Sequence, residues 1–329
     1  AYIVQQDATC SGFQHMAALL RDRDLGSLVN LTAGTRSDLY MAATDFLCEQ
    51  GTAVGVFLAD HDRGVVRSEL AKPTVMLTGY ASTAEALALS YLGYDGKAEY
   101  TDKSGEAVIA TRFKDVKQAL KQGADVNFNP DSIMIKWLDG RTGEKAMYAA
   151  LTFAREFQEA LFTLCPAVKE LITSIKGAAL SHFNKEGSTF AWVTPLDLHI
   201  QLSPWKVTED THTVSFQSGG VRKSMNVLSL RPDSMGGAAG ALPNLIHSLD
   251  ACLVHMVNLA RIGLGMPWAD IHDSFGSTVG DVKRTVELVN DAFLEVHTKF
   301  EINNVLQLHN RPMLSKGDLC LSELEQIIF

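Results

Sequence analysis

The sequence lacks the residue patterns that mark several classes of protein. Its five cysteines lie far apart, at positions 10, 48, 165, 252 and 320, and none forms a Cys-x-x-Cys pair. This spacing argues against a zinc site or a disulfide framework and favours a reducing compartment. No run of 18 apolar residues indicates a membrane span, and the N-terminus has neither the basic start nor the apolar core of a signal peptide.

Basic residues are also scarce. Lysine and arginine number 29 against 38 aspartates and glutamates, which gives a formal net charge of −9. Because affinity for duplex nucleic acid comes largely from Lys and Arg, a nucleic-acid-binding role requires those groups to be concentrated in one cleft or shared with another polypeptide. The hydrophobic content of 46% and charged content of 20% are typical of a globular chain, here long enough for two or three subdomains.

The most informative stretch begins near the N-terminus. A β-prone run ends at Asp7, small residues follow from Thr9 to Gly12, and the apolar residues Phe13 and Met16 then recur at helical spacing. A carboxylate at the end of a strand is well placed to hold a metal ion. A lone Asp is more often solvated or a helix cap, so the metal interpretation requires a second carboxylate and a cation elsewhere.

A second carboxylate and a cation both occur later in the chain. The stretch 268–278 reads as a strand, a tight polar turn and a returning strand, with Asp273 at the tip. Between the two aspartates, one predicted helix carries the cations Arg67 and Lys72 ahead of the aromatic Tyr80. These three stretches together define the candidate site.

Other segments give expectations about structure alone. A helix that runs to Gln50 is predicted to be capped by Thr35 or Ser37. Residues 54–58 are expected to form a loop or a short strand, and the small residues 236–241 a hinge.

With these motifs the chain resembles the single-subunit, phage-type RNA polymerases of bacteriophages and mitochondria, and specifically their catalytic half. The strings Cys-Ser-Gly-x-Gln-His at 10–15 and His-Asp-Ser-Phe-Gly at 272–276 carry the resemblance most specifically. The resemblance implies an α+β, mostly helical fold: the palm and fingers of a right-hand polymerase with a small antiparallel palm sheet. The implied domains are palm at 1–23, fingers at 24–247, and palm with the C-terminal tail at 248–329.

The resemblance also implies the catalytic groups. Asp7 and Asp273 match the family's metal-binding aspartates, which implies two Mg²⁺ ions, with Ala8 as a further metal-binding position. Lys72 matches the residue that contacts the incoming triphosphate, where an ammonium could protonate the departing pyrophosphate. The alternative is structural: a cap for Asp7, a turn former for Asp273 and a solvated helix face for Lys72.

Arg67 departs from the family spacing. It lies five residues before Lys72, whereas the family's arginine lies four before, and Pro73 interrupts the hydrogen bonding of the helix. A π-bulge would absorb the extra residue and return Arg67 to the face of Lys72. In a regular α-helix the two side chains would point apart, and Arg67 would be part of a solvated basic face.

Selection of the sugar follows from the same resemblance. The related DNA polymerases carry a Glu where this chain has Gly12, so Gly12 leaves room for a 2′-hydroxyl, and His247 matches a histidine that can hydrogen-bond that group. Tyr80 matches a tyrosine at the nucleotide sugar, or is a core residue at a helix end. Met76 matches a nucleic-acid contact or is core, and Ala81 stands where the family has Gly.

A basic hairpin is predicted at 212–231, with Gly219-Gly220 at its tip and no acidic residue. It occupies the place of the family's promoter-reading hairpin, although a solvated hairpin is an equal alternative. The implied nucleic-acid contacts are Arg222, Lys223, Arg231 and, beside the second aspartate, His272. Phe329 matches the family's aromatic C-terminal residue.

The chain starts six residues before Asp7, whereas family members have several hundred residues before this motif. A second polypeptide is therefore expected to supply the N-terminal region and thumb, as in the two-subunit phage polymerases. The other expected partners are a DNA template, nascent RNA and ribonucleoside triphosphates, with no membrane, in the cytoplasm of an infected bacterium. Three alternatives stay open: a DNA polymerase of the related family, a primase-like enzyme, and a non-catalytic DNA-binding subunit.

Overall fold

The chain forms two compact units, each built from segments distant in sequence. One unit comprises Ala1–Gln6 with Glu170–Gly317, and the other comprises Asp7–Lys169 with Asp318–Phe329. The computed structural model describes residues 2–32, 34–138, 140, 142–184, 188–218, 221–271 and 273–324, and within 206–231 it describes the backbone alone. The assignment of palm and fingers to particular ranges stays a prediction.

The first half of the chain is mostly helical. In chain order its elements are β1 (Ile3–Asp7), α1 (Ser11–Leu20), α2 (Arg23–Leu28), α3 (Leu39–Gln50), α4 (Ala53–Ala59), α5 (Arg63–Val65), a π-helix (Val66–Ala71), α6 (Lys72–Gly79), α7 (Ala84–Tyr91), β2 (Glu99–Thr101), β3 (Ala107–Ile109), α8 (Phe113–Lys121), α9 (Ile133–Trp137) and α10 (Gly143–Leu164).

The second half adds more strands to the helices. Its elements are α11 (Pro166–Phe183), β4 (Phe190–Val193), β5 (His199–Leu202), β6 (Trp205–Ser218), β7 (Val221–Pro232), α12 (Ser234–Ala239), α13 (Ala241–Gly263), β8 (Ser274–Thr278), α14 (Val282–Lys299) and α15 (Ile302–Leu308). Among the described residues the strands form two-stranded sheets, namely β1 with β8, β2 with β3, β4 with β5, and β6 with β7. The expectation of a mostly helical fold with small antiparallel sheets is confirmed.

The predicted basic hairpin is present and longer than expected. β6 and β7 pair antiparallel from Trp205 opposite Pro232 to Ser218 opposite Val221, with a register shift between Thr208 and Thr211. The shift places residues 209–210 outside the regular pairing. These two residues are acidic and have low strand propensity, which is why the sequence pattern indicated a strand only after them.

Helix α10 forms the centre of the unit that contains α6. Phe153, fully buried on α10, makes edge contacts with Tyr91 of α7 and with Trp137 of α9. One turn further on, Gln158 donates to Thr78 Oγ1 at 3.2 Å and to the carbonyl of Ser82 at 2.9 Å. The end of α6 is therefore fixed to the helical core.

Three structural expectations were wrong, each because a local cap decided the conformation. Residues 54–58 lie in helix α4, because Thr52 accepts from Gly55 N at 3.2 Å and starts the helix despite the β-branched valines. The expected hinge is helix α12, which Asp233 caps. The cap of α3 is Asp38, whereas Ser37 is held by two hydrogen bonds to Asn30.

In the other unit, α13 is the longest helix of the described chain and packs against α14. Trp192 of β4 is buried, and its indole N–H donates to Ser248 Oγ of α13 at 3.0 Å. Helix α13 is long and apolar enough to cross a membrane. Core helices of soluble proteins can have the same length and composition. Arg261 is fully buried near its C-terminal end.

Candidate active site

The helix that carries Arg67 and Lys72 contains the π-turn that the sequence spacing predicts. The π-helix spans Val66–Ala71, and the backbone N–H of Lys72 donates to the carbonyl of Arg67, a bond across five residues. Pro73 follows, and as it has no N–H it could not continue a regular ladder. A π-turn brings residues five apart to the same face of a helix, so the extra residue is absorbed between the two cations.

The guanidinium of Arg67 is held by an anion. Its Nε donates to Asp38 Oδ2 at 2.6 Å, and it lies 5.1 Å from the centre of the Tyr40 ring. Asp38 also caps α3 by accepting from Tyr40 N at 3.0 Å. One carboxylate therefore fixes both the start of α3 and the direction of the Arg67 side chain. Sequence reasoning missed Asp38, although a helix-capping Asp before an apolar helix is a recognisable signal.

A thiol lies beside this ion pair. The hydroxyl of Tyr40 hydrogen-bonds the Cys10 thiol, and the electrostatic influence of Lys72 reaches the same group. Burial raises the pKa of Cys10 to about 11, and the same effect raises the pKa of Tyr40 above its usual value. Both groups are therefore neutral at physiological pH, and they support the neighbouring side chains without adding charge. The ammonium-bearing side chain of Lys72 itself is exposed.

Gly12, Met76 and Tyr80 line a common small pocket, together with Cys10, Phe13, Met16 and Gly79. A Cβ on Gly79 would lie 2.5 Å from the ring of Phe13, so the glycine permits α1 and α6 to approach closely. Two residues assigned to nucleotide contact from the sequence, Gly12 and Tyr80, thus meet Met76, which was assigned to nucleic-acid contact. Met76 is exposed at 38% of its surface, which places it on the pocket wall and not in the core.

Ala81, which follows Tyr80, has a left-handed backbone conformation with φ of 59°. Glycine adopts this conformation without a steric penalty, whereas a Cβ makes it unfavourable. Alanine in place of the family's glycine therefore strains the backbone just after the C-terminal end of α6.

Asp273 lies at the tip of a tight turn, as predicted. Ile271 and Ser274 form a pair of backbone hydrogen bonds of 2.9 and 3.0 Å around it, and β8 begins at Ser274. The arm before the turn is a single bridge at Ile271 and not a full strand. The side chain of Asp273 is half-buried.

Asp7 is the last residue of β1 and is exposed. The rest of β1, Ile3–Gln6, lies in the same unit as β8, and the two strands form a sheet. Gln6 Nε2 donates to Ser277 Oγ at 3.2 Å within that sheet. Asp7 thus ends β1, and Asp273 directly precedes β8.

His247 is exposed on α13, next to the Ser248 that receives the indole hydrogen bond of Trp192. Ala8 is half-buried between β1 and α1. The remaining assigned residues lie outside the described positions or side chains: His272, Phe329, and the side chains of Arg222, Lys223 and Arg231. Their roles stay predictions.

Comparison with known proteins bears on this arrangement of carboxylates, cations and a glycine-lined pocket. A family model for DNA-dependent RNA polymerases matches residues 1–316. The chain belongs to the phage-type DNA-dependent RNA polymerase family. The match leaves out only the last thirteen residues of the sequence. It therefore includes Asp7, the helix with Arg67 and Lys72, and the turn with Asp273.

Individual polymerases of this family are similar to this chain over most of its length. The mitochondrial DNA-directed RNA polymerase of Schizosaccharomyces pombe is 27% identical, over 92% of this chain and 24% of that protein. The DNA-directed RNA polymerase of Pseudomonas phage phiKMV is 26% identical, over 90% of this chain and 33% of its own length. The human mitochondrial enzyme is 23% identical, over 90% of this chain and 21% of its own. The chain thus spans a third or less of these polymerases.

The donor set suits Mg²⁺, which prefers oxygen ligands and keeps several waters. Within the described part of the chain, no group of three or more His, Cys, Asp or Glu residues could hold a metal. Two aspartates alone leave most positions around an ion open, as expected for a metal that also binds substrate phosphates. The assignment of Asp7 and Asp273 as its ligands stays a prediction.

Proposed function

We propose that this chain supplies the catalytic residues of a DNA-directed RNA polymerase that adds ribonucleoside triphosphates to an RNA 3′ end. The observation that carries the proposal is the hydrogen bond from Lys72 N–H to the Arg67 carbonyl. This bond absorbs the extra residue between the two cations, in a helix whose far end, at Tyr80, lines the pocket with Gly12. Family membership supports the reaction class.

The cations act on the triphosphate. The exposed Lys72 ammonium screens the β- and γ-phosphates and is the group that protonates the pyrophosphate as it departs. Arg67 adds a planar guanidinium suited to phosphate oxygens once it exchanges Asp38 for the substrate. Phosphoryl transfer depends mainly on such positioning and charge neutralisation.

The pocket selects the sugar. Gly12 presents no side chain, which leaves space for a 2′-hydroxyl beside Tyr80 and Met76. His247, exposed on α13, donates a hydrogen bond to the same hydroxyl in this proposal. Ribonucleotides are therefore the expected substrates.

The carboxylates hold the metal. Asp7 and Asp273 coordinate the ions, with Ala8 as an additional contact. Two Mg²⁺ ions, when bound, lower the pKa of the attacking 3′-hydroxyl and neutralise charge on the leaving oxygens. The supporting observation is that the aspartates end and precede the paired strands β1 and β8.

We further propose that a second polypeptide supplies part of the DNA channel, and that β6–β7 reads duplex DNA. The net charge of −9 supports the partner, because affinity for duplex DNA comes largely from Lys and Arg. Purification from the native source tests this: a monomeric 35.8 kDa protein fully active on a primed template would exclude the partner. An infected bacterial cytoplasm is the proposed location.

The activity test uses the chain with any copurifying polypeptide, a primed DNA template, Mg²⁺, and either ribo- or deoxynucleotides. RNA synthesis that Asp7→Asn, Asp273→Asn and Lys72→Ala each lower by at least about a thousandfold, about 4 kcal/mol of barrier, supports the assignment. Asp291→Asn and Lys121→Ala are matched controls on exposed helix positions and should leave the rate unchanged.

Other outcomes identify the alternatives. Preference for deoxynucleotides indicates a DNA polymerase, and products of only a few nucleotides indicate a primase-like enzyme. Unchanged function after both aspartate substitutions indicates a non-catalytic DNA-binding subunit.

A further inference from the structure

We propose that the buried pair Arg261–Asp270 positions the turn that carries Asp273. This inference rests on the proposed function, in which Asp273 holds a metal ion. Arg261 and Asp270 touch neither substrate nor metal in this proposal. They act through the backbone of the turn and are therefore positioning residues.

The pair is completely enclosed. The side chain of Arg261, in the last turn of α13, has no exposed surface, and that of Asp270 has 6%. Arg261 Nη1 donates to Asp270 Oδ1 at 2.7 Å, and the guanidinium lies 5.7 Å from the centre of the Phe275 ring. The ring belongs to β8, so the arginine contacts both arms that leave the turn.

Asp270 connects the same two arms through the backbone. Its Oδ1 also accepts from Gly276 N at 3.0 Å, on the opposite side of the turn. Ala269 N donates to the Gly276 carbonyl at 3.2 Å, directly beside that bond. One carboxylate oxygen thus joins α13 to both arms of the hairpin, three residues before Asp273.

A third element fixes the outer part of the hairpin. Gln5 of β1 donates through Nε2 to the Ala269 carbonyl at 3.0 Å, and its Oε1 accepts from Ser274 Oγ at 3.0 Å. Ser274 is the residue next to Asp273. The turn is therefore held from α13 through Asp270 and from β1 through Gln5.

Stability alone is a poor explanation for this pair. Among the described residues, Arg261 Nε, Arg261 Nη2 and Asp270 Oδ2 are buried without a hydrogen-bond partner. Taking two charges out of water is unfavourable, and well-packed apolar side chains often stabilise a fold as well or better. A rigid, directional link is what an ion pair adds, and a metal-binding carboxylate requires that rigidity.

The test compares an apolar replacement with a matched surface replacement. Arg261→Met with Asp270→Leu removes both charges together and leaves no unpaired one. Arg284→Met with Glu287→Leu removes an exposed pair of 2.9 Å on α14 in the same unit. Asp270→Asn keeps an oxygen for Gly276 N but leaves the buried Arg261 guanidinium without a counter-ion, so it tests the charge separately.

Two measurements are made on the chain with any copurifying polypeptide. The first is Mn²⁺ binding, from the loss of the free-ion electron paramagnetic resonance signal, with Asp273→Asn as the reference for lost binding. The second is the Mg²⁺ concentration that gives half-maximal RNA synthesis. Denaturant unfolding checks that each variant is folded.

The apolar double variant should fold. The dissociation constant for Mn²⁺ and the Mg²⁺ concentration for half-maximal RNA synthesis should each rise by about tenfold or more, as loss of outer-shell support usually causes. Folded Asp270→Asn should give a rise in the same direction, and the α14 variant none. Wild-type metal dependence in a folded Arg261/Asp270 double variant would overturn the inference. If the wild-type chain shows no metal-dependent synthesis, and Asp273→Asn does not alter Mn²⁺ binding, the proposed function fails instead.

Discussion

Arg67 Nε donates to Asp38 Oδ2 at 2.6 Å, so the guanidinium assigned to the triphosphate already has an anionic partner. The two side chains are 43% and 34% exposed, and a partly exposed pair of this kind contributes at most about 1 kcal/mol. A triphosphate carries more negative charge than one carboxylate and can displace it. Asp38 thus competes with the substrate for Arg67.

Replacing Asp38 by Asn should strengthen nucleotide binding. Asparagine caps a helix about as well as aspartate, so the start of α3 is retained and stability changes by less than about 1 kcal/mol. Loss of the competing charge should lower KM for ribonucleotides by up to about fivefold. Steady-state kinetics measures this, with Asp45→Asn, which removes the surface partner of Arg63, as the control. An unchanged KM would show that Asp38 does not restrain Arg67.

Ala81→Gly should stabilise the protein by about 0.5–1 kcal/mol. The φ of 59° is unfavourable for alanine by about 1–2 kcal/mol, and glycine recovers most of this after its own entropic cost. Urea unfolding of the unit that contains α6 measures the change. The same substitution at Ala86, exposed in the first turn of α7, should have the opposite sign, destabilising by up to about 1 kcal/mol. A loss of stability at position 81 would contradict the strain argument.

Gly276→Ala should damage the hairpin that carries Asp273. An added Cβ would lie 2.2 Å from the carbonyl oxygen of Ala269, so the two arms must separate. Overpacking of this kind costs about 1–3 kcal/mol, and the displaced turn should also raise the Mg²⁺ requirement. Thermal unfolding and Mg²⁺ titration measure both effects. Gly280→Ala is the control, because a Cβ there meets nothing within 4 Å.

The protein should lose stability as the pH falls below about 6.5. Burial lowers the pKa of His309, aided by the neighbouring His182, whose Nε2 lies 2.8 Å from His309 Nδ1. As the pH falls through about 6.5, His309 binds a proton in the unfolded chain, whereas in the folded chain it stays neutral to a lower pH. Protonation therefore favours unfolding. Above that pH His309 is neutral in both the folded and the unfolded chain, and its contribution to the free energy of unfolding is fully present.

Urea unfolding at a series of pH values between about 7.5 and 5.5 tests the His309 prediction. His309→Gln should flatten the decline, since the group that titrates differently in the two states is gone. His199→Gln, at an exposed strand position, should leave the slope as it is. A decline that is the same in all three proteins would assign the pH dependence to other groups.

The sequence predicted what depends on local spacing and missed what depends on distant partners. The extra residue between Arg67 and Lys72 was enough to predict the π-turn, because helical geometry is local. The same reasoning misjudged residues 54–58 because it did not recognise a further local signal, the Thr52 cap that starts α4 despite the strand preference of valine.

The two ion pairs, Arg67–Asp38 and Arg261–Asp270, could not be predicted from local sequence patterns. Asp38 is 29 residues from Arg67, and the partner of a buried arginine such as Arg261 is decided by the fold. No periodic pattern specifies which carboxylate will meet which guanidinium. The Arg261–Asp270 pair spans only nine residues, yet it could be recognised only once the turn between them was known.

The last described residues fold back onto the first helices. Leu319 is buried, its N–H donates to the Arg21 carbonyl at 3.0 Å, and Arg23 binds the carboxylates of Asp318 and Glu323. During synthesis on a ribosome, Arg23 of α2 emerges 295 residues before its partner Asp318, so this contact can form only after that whole stretch has been made. Such long loop closures slow folding and leave apolar surface uncovered meanwhile. The apolar surface around α1 and α2 is thus exposed to aggregation until residues 318–323 are available to cover it.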